Sequence, residues 1–476
     1  MPRRNGLAAC FAVRAGGARF PASSSLGRTL LLAGASILPS LAAAQAQDAA
    51  ASAWTSLRQT EISGSLMYFQ RNRERYRIDE DRFGVNLRHQ TLQGKIDLST
   101  PYFLDGSLGV DMGVFATTDL GNSAGAPDHE ISFFPWRTPW SPDWSRRDAR
   151  GGFSLYRAHL KLRRATGDGL WWGKLGYFQP QGPGVLGVNW SLMPGTFVGA
   201  ESGIDRGAFS LAGAYVTRYK APWFKRAYAF LDDEKRDAGP LWSLGLRYTP
   251  QPGVSAEVAY GEAPGYLRSG HLKLKYERDG RYLSYQLYLM GDRDDSGSLN
   301  DHYDGAWASQ HYLAFARTFS PWLFKAEFTH TRAPSSAPWH RGYFAYRLSG
   351  WYGGVKGAYE PWWDNRSDWN HNRESAAFLS LSRKLDDWGL PGLTAGVSAA
   401  RGWGGKVYGV SETLREKAWS VDLACAVTSG VLKDATLSLH YTHYDNRTRQ
   451  PSWTGFKNLF QDERDLKVLL TVPWKL

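Results

Sequence analysis

Three observations predict an all-β chain closed into a single antiparallel barrel, with its apolar side facing outward. The first is an alternation of apolar and polar side chains, period two, that recurs from residue 60 to the end of the chain. The second is an amino-terminal stretch built like a secretory leader. The third is composition. The chain carries 24 Tyr, 22 Phe and 21 Trp, yet its mean hydropathy is negative. Lipid-facing residues diluted one for one by water-facing residues produce that combination. A soluble sandwich would turn its oily rows inward, whereas a membrane barrel turns them to hydrocarbon and lines a wet interior with polar rows.

The leader spans residues 1–46. Arg3, Arg4, Arg14, Arg19 and Arg28 form its basic region, residues 29–41 its apolar region, and 42–44 or 44–46 offer a small-x-small cleavage site. The formal charge is +12; loss of the five leader arginines leaves about +7. Cys10 leaves with the leader, so Cys425 remains alone and no intramolecular disulfide is expected. A short tail, 47–59, precedes the barrel, 60–476. On length alone two or three soluble domains would be expected. No Ser/Gly tract, Pro-rich run or charge block divides the chain, and one large sheet accounts for that better. The longest uncharged run, 175–200, is interrupted by Pro180, Pro183, Pro194 and several glycines, so it is no transmembrane helix.

Each strand is justified by its alternation. Residues 60–69 place Ile62, Leu66 and Tyr68 on one side, and 83–98 follow. Residues 107–116 set Leu108, Val110, Met112 and Val114 against Asp111. A long polar and aromatic segment, 117–152, leads to the clearest strand, 153–164 (FSLYRAHLKLRR). Its outer face is Tyr156, Ala158, Leu160 and Leu162; its inner face is Arg157, His159, Lys161 and Arg163. Residues 170–178 oppose Leu175 and Tyr177 to Trp172 and Lys174, and 197–203 and 207–217 make the next pair. Residues 241–249, 254–260, 271–277 and 283–289 continue the rhythm, as do 324–329, 419–427, 437–441 and 466–474. Connections are expected to alternate strictly in length, tight turns on the periplasmic side and long loops outside. The pattern yields about twenty strands. Gly350, Gly353, Gly354 and Gly357 weaken the pair in 343–359; read as a loop, that piece leaves about eighteen.

No G-x-S-x-G, H-E-x-x-H, Walker loop or C-x-x-C occurs, so no catalytic residue, metal or cofactor is expected. His129-Glu130 lacks a second histidine. Asp292, Asp294, Ser296 and Gly297 imitate the start of a calcium loop, but its twelfth position is Tyr303. A barrel enzyme needing only a few rim residues stays as a third reading. The row Arg157, His159, Lys161, Arg163 is either general wall polarity or a track for carboxylates and polar solutes, with Asp111, Glu257 and Glu327 making the interior mixed in charge. Residues 177–200 leave one strand and return as the next without a charge, which suits an inward constriction carrying Gly182, Gly184, Trp190 and Met193; packing between loops is the alternative. Loop tryptophans interleaved with charges suit stacking on sugar rings, with Trp136, Trp140, Trp190 and Trp223 the candidates against simple loop packing. An exported barrel argues against nucleic acid as the partner.

Four segments, YFQRNR (68–73), GFSLYRAHLKLR (152–163), LGYFQPQGPGVLGVNWSLMPGTFVGAESG (175–203) and GLPGLTAGVSAARG (389–402), resemble the OprD family of outer-membrane porins. RYKAPWFKRAY (218–228) and WWDNRSDWNHN (362–372) are similar to its chitoporin branch. The resemblance implies a barrel of about eighteen strands with an inward third loop, and a basic ladder at Arg157, Lys161 and Arg163 with His159 between them. It implies a passive, substrate-selective channel for chitooligosaccharides in the outer membrane of a Gram-negative cell; the runner-up is a channel for small carboxylates or basic amino acids. Implied partners are sugar oligomers, outer-membrane lipid and lipopolysaccharide, and the barrel-assembly machinery, in a monomer or homotrimer. The chain departs from the usual aromatic C-terminus by ending Trp474-Lys475-Leu476, which puts the assembly signal on Trp474.

Overall fold

The structure, a computed structural model, describes residues 59–77, 80–122, 151–222, 224–293, 299–334, 342–350, 357–406, 411–446 and 462–476. The predicted leader and most of the tail lie outside them, as do His129, Glu130, Asp294, Ser296 and Gly297. Eighteen strands follow in chain order: β1 (Glu61–Arg77), β2 (Arg82–Ser99), β3 (Leu108–Asn122), β4 (Gly152–Thr166), β5 (Gly169–Phe178) and β6 (Thr196–Arg206). Then come β7 (Phe209–Lys220), β8 (Leu241–Gln251), β9 (Val254–Ala263), β10 (Leu267–Arg278), β11 (Arg281–Asp292) and β12 (Trp307–Phe319). The last six are β13 (Trp322–Arg332), β14 (Ser375–Lys384), β15 (Leu393–Gly405), β16 (Leu414–Ala426), β17 (Thr436–Asn446) and β18 (Glu463–Lys475).

Each strand pairs antiparallel with its sequence neighbour, and β1 pairs with β18 from Ser63–Lys475 to Arg75–Glu463, so the sheet closes and leaves no edge. The sides of the wall are as the alternation predicts. Leu160 is 41% and Leu175 53% exposed on the outside, while Arg157 and Lys161 reach inner-wall acids. The bare outer belt of Leu211, Leu244, Val258, Leu274, Leu313, Leu379, Val397 and Leu437 is exposed throughout, the surface that hydrocarbon covers in a membrane barrel.

Two expectations are corrected. Tyr156 does not face outward: the register against β3 shifts between Gly113 and Val114, a β-bulge that inserts one extra residue in β4. The bulge turns Tyr156 inward beside Arg157, where it is buried and donates its hydroxyl to Asp97. Nor do connections alternate strictly in length. Residues 78–81 and 264–266 are short although they lie on the long-loop side; at the second, Tyr266 and Leu267 are buried under neighbouring loops. The described parts of 343–359 add no strand and form only isolated bridges, such as Tyr343 to His371 and Leu186 to Gly357. Alanine and serine on β12 and β14 mute their alternation, which is why those two strands are hard to see in sequence.

Candidate functional site

Two connections fold into the barrel. The first, residues 179–195 between β5 and β6, lies flat on the inner wall. Its backbone N–H groups at Gln181 and Gly182 donate to Glu201 (3.0 and 2.8 Å), that of Val185 to Ser243 Oγ (2.8 Å) and that of Asn189 to Tyr219 Oη (2.9 Å). The wall is shaved to receive it: a Cβ on Gly245 would stand 2.5 Å from the Pro183 carbonyl, and one on Gly261 2.4 Å from Val185 Cγ2. Gly182 and Gly184 have the same reason, since added methyls would meet Ala212 and Ser243. Met193 ends the segment in a buried cluster with Met67, Phe115 and Tyr156. Trp190 is 47% exposed.

The second is a strap, residues 357–374, between β13 and β14. Glu360 takes Lys273 (3.0 Å) and Lys275 (2.6 Å) of β10. Four positions later Asp364 takes Lys467 of β18 and faces His440 of β17. β18 is eight strands beyond β10 in an 18-stranded ring, one short of diametric, so Pro361, Trp362 and Trp363 bar the interior. Burial works to raise both carboxyls, but the two lysines beside Glu360 hold it well below the usual carboxylate range, and Lys467 with His440 holds Asp364 at about 2. The strap then docks on the far wall: Asn365 donates to Ser420 (2.7 Å), Arg366 pairs with Glu463 (2.5 Å), and Ser367 donates to Glu416 (2.9 Å). Trp363 stacks on Phe378 at 5.4 Å and donates to Glu327 at 2.6 Å, while Trp369 is buried against Tyr444. Trp362 is 60% exposed. A shallow, partly open recess beside it is lined by Thr329, Tyr359, Trp363, Ser367 and Asp368.

The predicted basic row is brought together on β4, but its charge is answered locally. Arg157 meets Asp97 at 2.5 Å, Lys161 meets Asp111 at 2.8 Å, and buried His159 sits 3.4 Å from the same Asp111. Arg163, at the turn end, lies over the Tyr102 ring at 3.9 Å and donates to the Gly106 carbonyl. A second row was missed: Arg71, Arg73 and Arg75 face inward on β1, with Arg71 on Asp465 and Arg75 on Glu463, both at 2.6 Å. The apolar/polar alternation stops at Phe69, since Gln70, Asn72 and Glu74 between the arginines are polar too; only the every-second-residue spacing of the arginines marks the row. Of the predicted sugar-stacking residues, Trp136, Trp140 and Trp223 lie outside the described residues, as does Trp144; only Trp190 is placed. Trp362 was passed over as one loop tryptophan among many.

A family model described as outer membrane porin, OprD family, matches residues 59–476. Chitoporin of Escherichia coli (strain K12) is 34% identical over 439 residues, 87% of this chain and 91% of that protein. Two solved Pseudomonas aeruginosa structures share the fold. OccK9 (OpdG) matches with a TM-score of 0.68 at 16% identity and OpdK with vanillate with 0.66 at 14%, each over 88% of this chain and 100% of theirs.

Proposed function

The chain belongs to the OprD family of outer-membrane porins, and from that premise we propose that it is a passive, substrate-selective channel for chitooligosaccharides. It is an outer-membrane protein, and its closed barrel of eighteen antiparallel strands has the wet interior such a channel needs. The Escherichia coli relative, by its name a chitin porin, supports the sugar class. The observation that carries the reading is the strap. It sets an exposed indole, Trp362, in the interior beside the hydrogen-bonding groups of Thr329, Ser367 and Asp368. An amino-sugar ring has an apolar face for an indole and equatorial hydroxyl and amide groups for the polar rim.

Solute would enter past the outer loops, stack on Trp362 and Trp190, and leave along the β1–β9 wall past Arg157, Lys161 and Arg163. No covalent step and no cofactor are required, and detergent-purified protein should hydrolyse neither lipid nor peptide. The carboxylate reading loses force because Arg157 and Lys161 already hold Asp97 and Asp111. Trp474, packed over Gly64 at the barrel seam, is proposed as the assembly signal; Trp474→Ala should lower the folded yield.

Planar-bilayer conductance with chitobiose and longer homologues tests the function. Concentration-dependent current blocking is the expected result. Blocking by carboxylates or arginine alone would overturn it in favour of the runner-up.

A further inference from the structure

Where the strap rejoins the wall it brings together one imidazole and two carboxylates. His371 and Glu374 close a tight reversal, with the Glu374 N–H donating to the His371 carbonyl at 3.0 Å, and Glu416 projects from β16. Ligand atoms of all three lie within 4.8 Å of one another, and all three residues are buried. Gly402 of β15 makes this possible, since a Cβ there would stand 2.3 Å from Glu374 Oε1 and 3.0 Å from Glu416 Cγ.

The two acids lie side by side, and among the described residues neither is ion-paired to a lysine or arginine. Glu416 is held at both oxygens, by Ser367 at 2.9 Å and by the Tyr444 hydroxyl at 2.5 Å. Glu374 Oε2 accepts the His371 N–H at 3.0 Å and lies 3.1 Å from that ring's Nδ1. Glu374 Oε1, fully buried in the space over Gly402, has no hydrogen-bond partner among the described residues. Two adjacent buried carboxylates need positive charge between them, and a buried acceptor without a donor is costly. A cation answers both needs; a single proton shared between the adjacent Glu374 and Glu416 carboxyls answers them too and is the competing arrangement, which titration with Zn²⁺ separates from a bound ion.

We propose that His371, Glu374 and Glu416 form a binding site for one divalent metal ion of zinc-like preference. Three protein ligands of mixed nitrogen and oxygen type suit Zn²⁺ with a fourth position open to water. Calcium would ask for six to eight oxygens. Ser367 and Tyr444 orient Glu416 as outer partners orient the ligands of known zinc sites. His371 and Glu374 belong to the strap's end while Glu416 belongs to the wall, so the bound ion pins the strap to the barrel.

The test uses the full, tag-free, detergent-folded protein, stripped with a chelator and titrated with Zn²⁺. Calorimetry and elemental analysis should give one zinc per chain, with Ca²⁺ failing to compete. Glu374→Gln should abolish uptake, and Tyr444→Phe should weaken it about tenfold. Should the variants fold poorly, anomalous scattering at the zinc edge from wild-type crystals reads the position directly. Density between the three side chains supports the site. No saturable uptake by wild type, zinc bound elsewhere, or a protonated-carboxyl infrared band unaffected by zinc would each overturn it.

Discussion

Glu360 and Asp364, four positions apart in sequence, hold nearly opposite walls of the barrel, one through Lys273 and Lys275 and the other through Lys467. The strap between them depends on both grips, because the eighteen-strand ladder closes without it. The double variant Glu360→Gln, Asp364→Asn should therefore fold and insert. Lys273, almost wholly buried, would lose its carboxylate, a local penalty of about 3 kcal/mol. The strap should detach, raising single-channel conductance and adding substates. Unchanged conductance would mean that the far-wall contacts of Asn365, Arg366 and Ser367 and the packed tryptophans hold the strap without these two grips.

Trp362 and Trp363 are neighbours with different jobs. Trp362→Ala should raise the sugar concentration for half-maximal blocking about tenfold, equivalent to about 1.4 kcal/mol, while open conductance stays nearly constant. Trp363→Ala removes a stacked, buried indole and the donor to Glu327, costing about 3–5 kcal/mol, so it should lower folded yield on heat-modifiability gels. Equal sugar blocking in wild type and Trp362→Ala would exclude that indole from the solute path.

Asp111 is shared by His159 and Lys161. Asp111→Asn uncovers the lysine, and the reversal potential in a KCl gradient should move toward chloride. Lys161→Met should move it the other way. If neither shifts, the β4 row lies off the ion path.

Gly245 exists to admit Pro183. Gly245→Val should lift residues 179–195 off the wall, break the Val185 to Ser243 hydrogen bond and alter conductance. Gly213→Ala, where the nearest atom to an added Cβ is 3.7 Å away, is the control that should behave as wild type.

His302 lies between Asp233 (2.5 Å) and Asp292 (3.0 Å), tying the 221–240 loop to the 293–306 loop. Burial pulls its pKa down, but the hydrogen bonds and charges of the two aspartates outweigh it and carry it from 6.5 to about 9. Because the folded value is the higher, the stabilisation is fully present below about 6.5 and lost as pH rises through about 9. Proteolysis of these loops should accelerate across that window, and His302→Asn should flatten the profile. A flat wild-type profile would show that the pair does not hold the loops.

The wall was legible because a strand's two faces are written in every second residue; Leu160 against Lys161 suffices to place both. The bulge at Tyr156 was not, since one extra residue reverses the parity upstream of it, turning Ser154 inward and Phe153 outward, and nothing in FSLYR marks it. The inward course of 179–195 could be inferred from its lack of charge. That of 357–374 could not, because its Glu, Asp, Arg and Asn residues look like those of any wet loop. Their partners Lys273, Lys467 and Ser420 sit 55 to 103 positions away in sequence, and only barrel closure brings them within reach.

A ring with a beam fixed across it is no longer round. With Trp363, Trp369, Phe378 and Tyr444 packed together at one side of the beam, we expect the opening left to be a slit, and a slit selects by orientation as well as girth. A flat, unbranched chain of rings can slide through edge-on, while a branched solute of equal mass must turn and jam. Discrimination of that kind needs no tight binding, so it leaves transit fast.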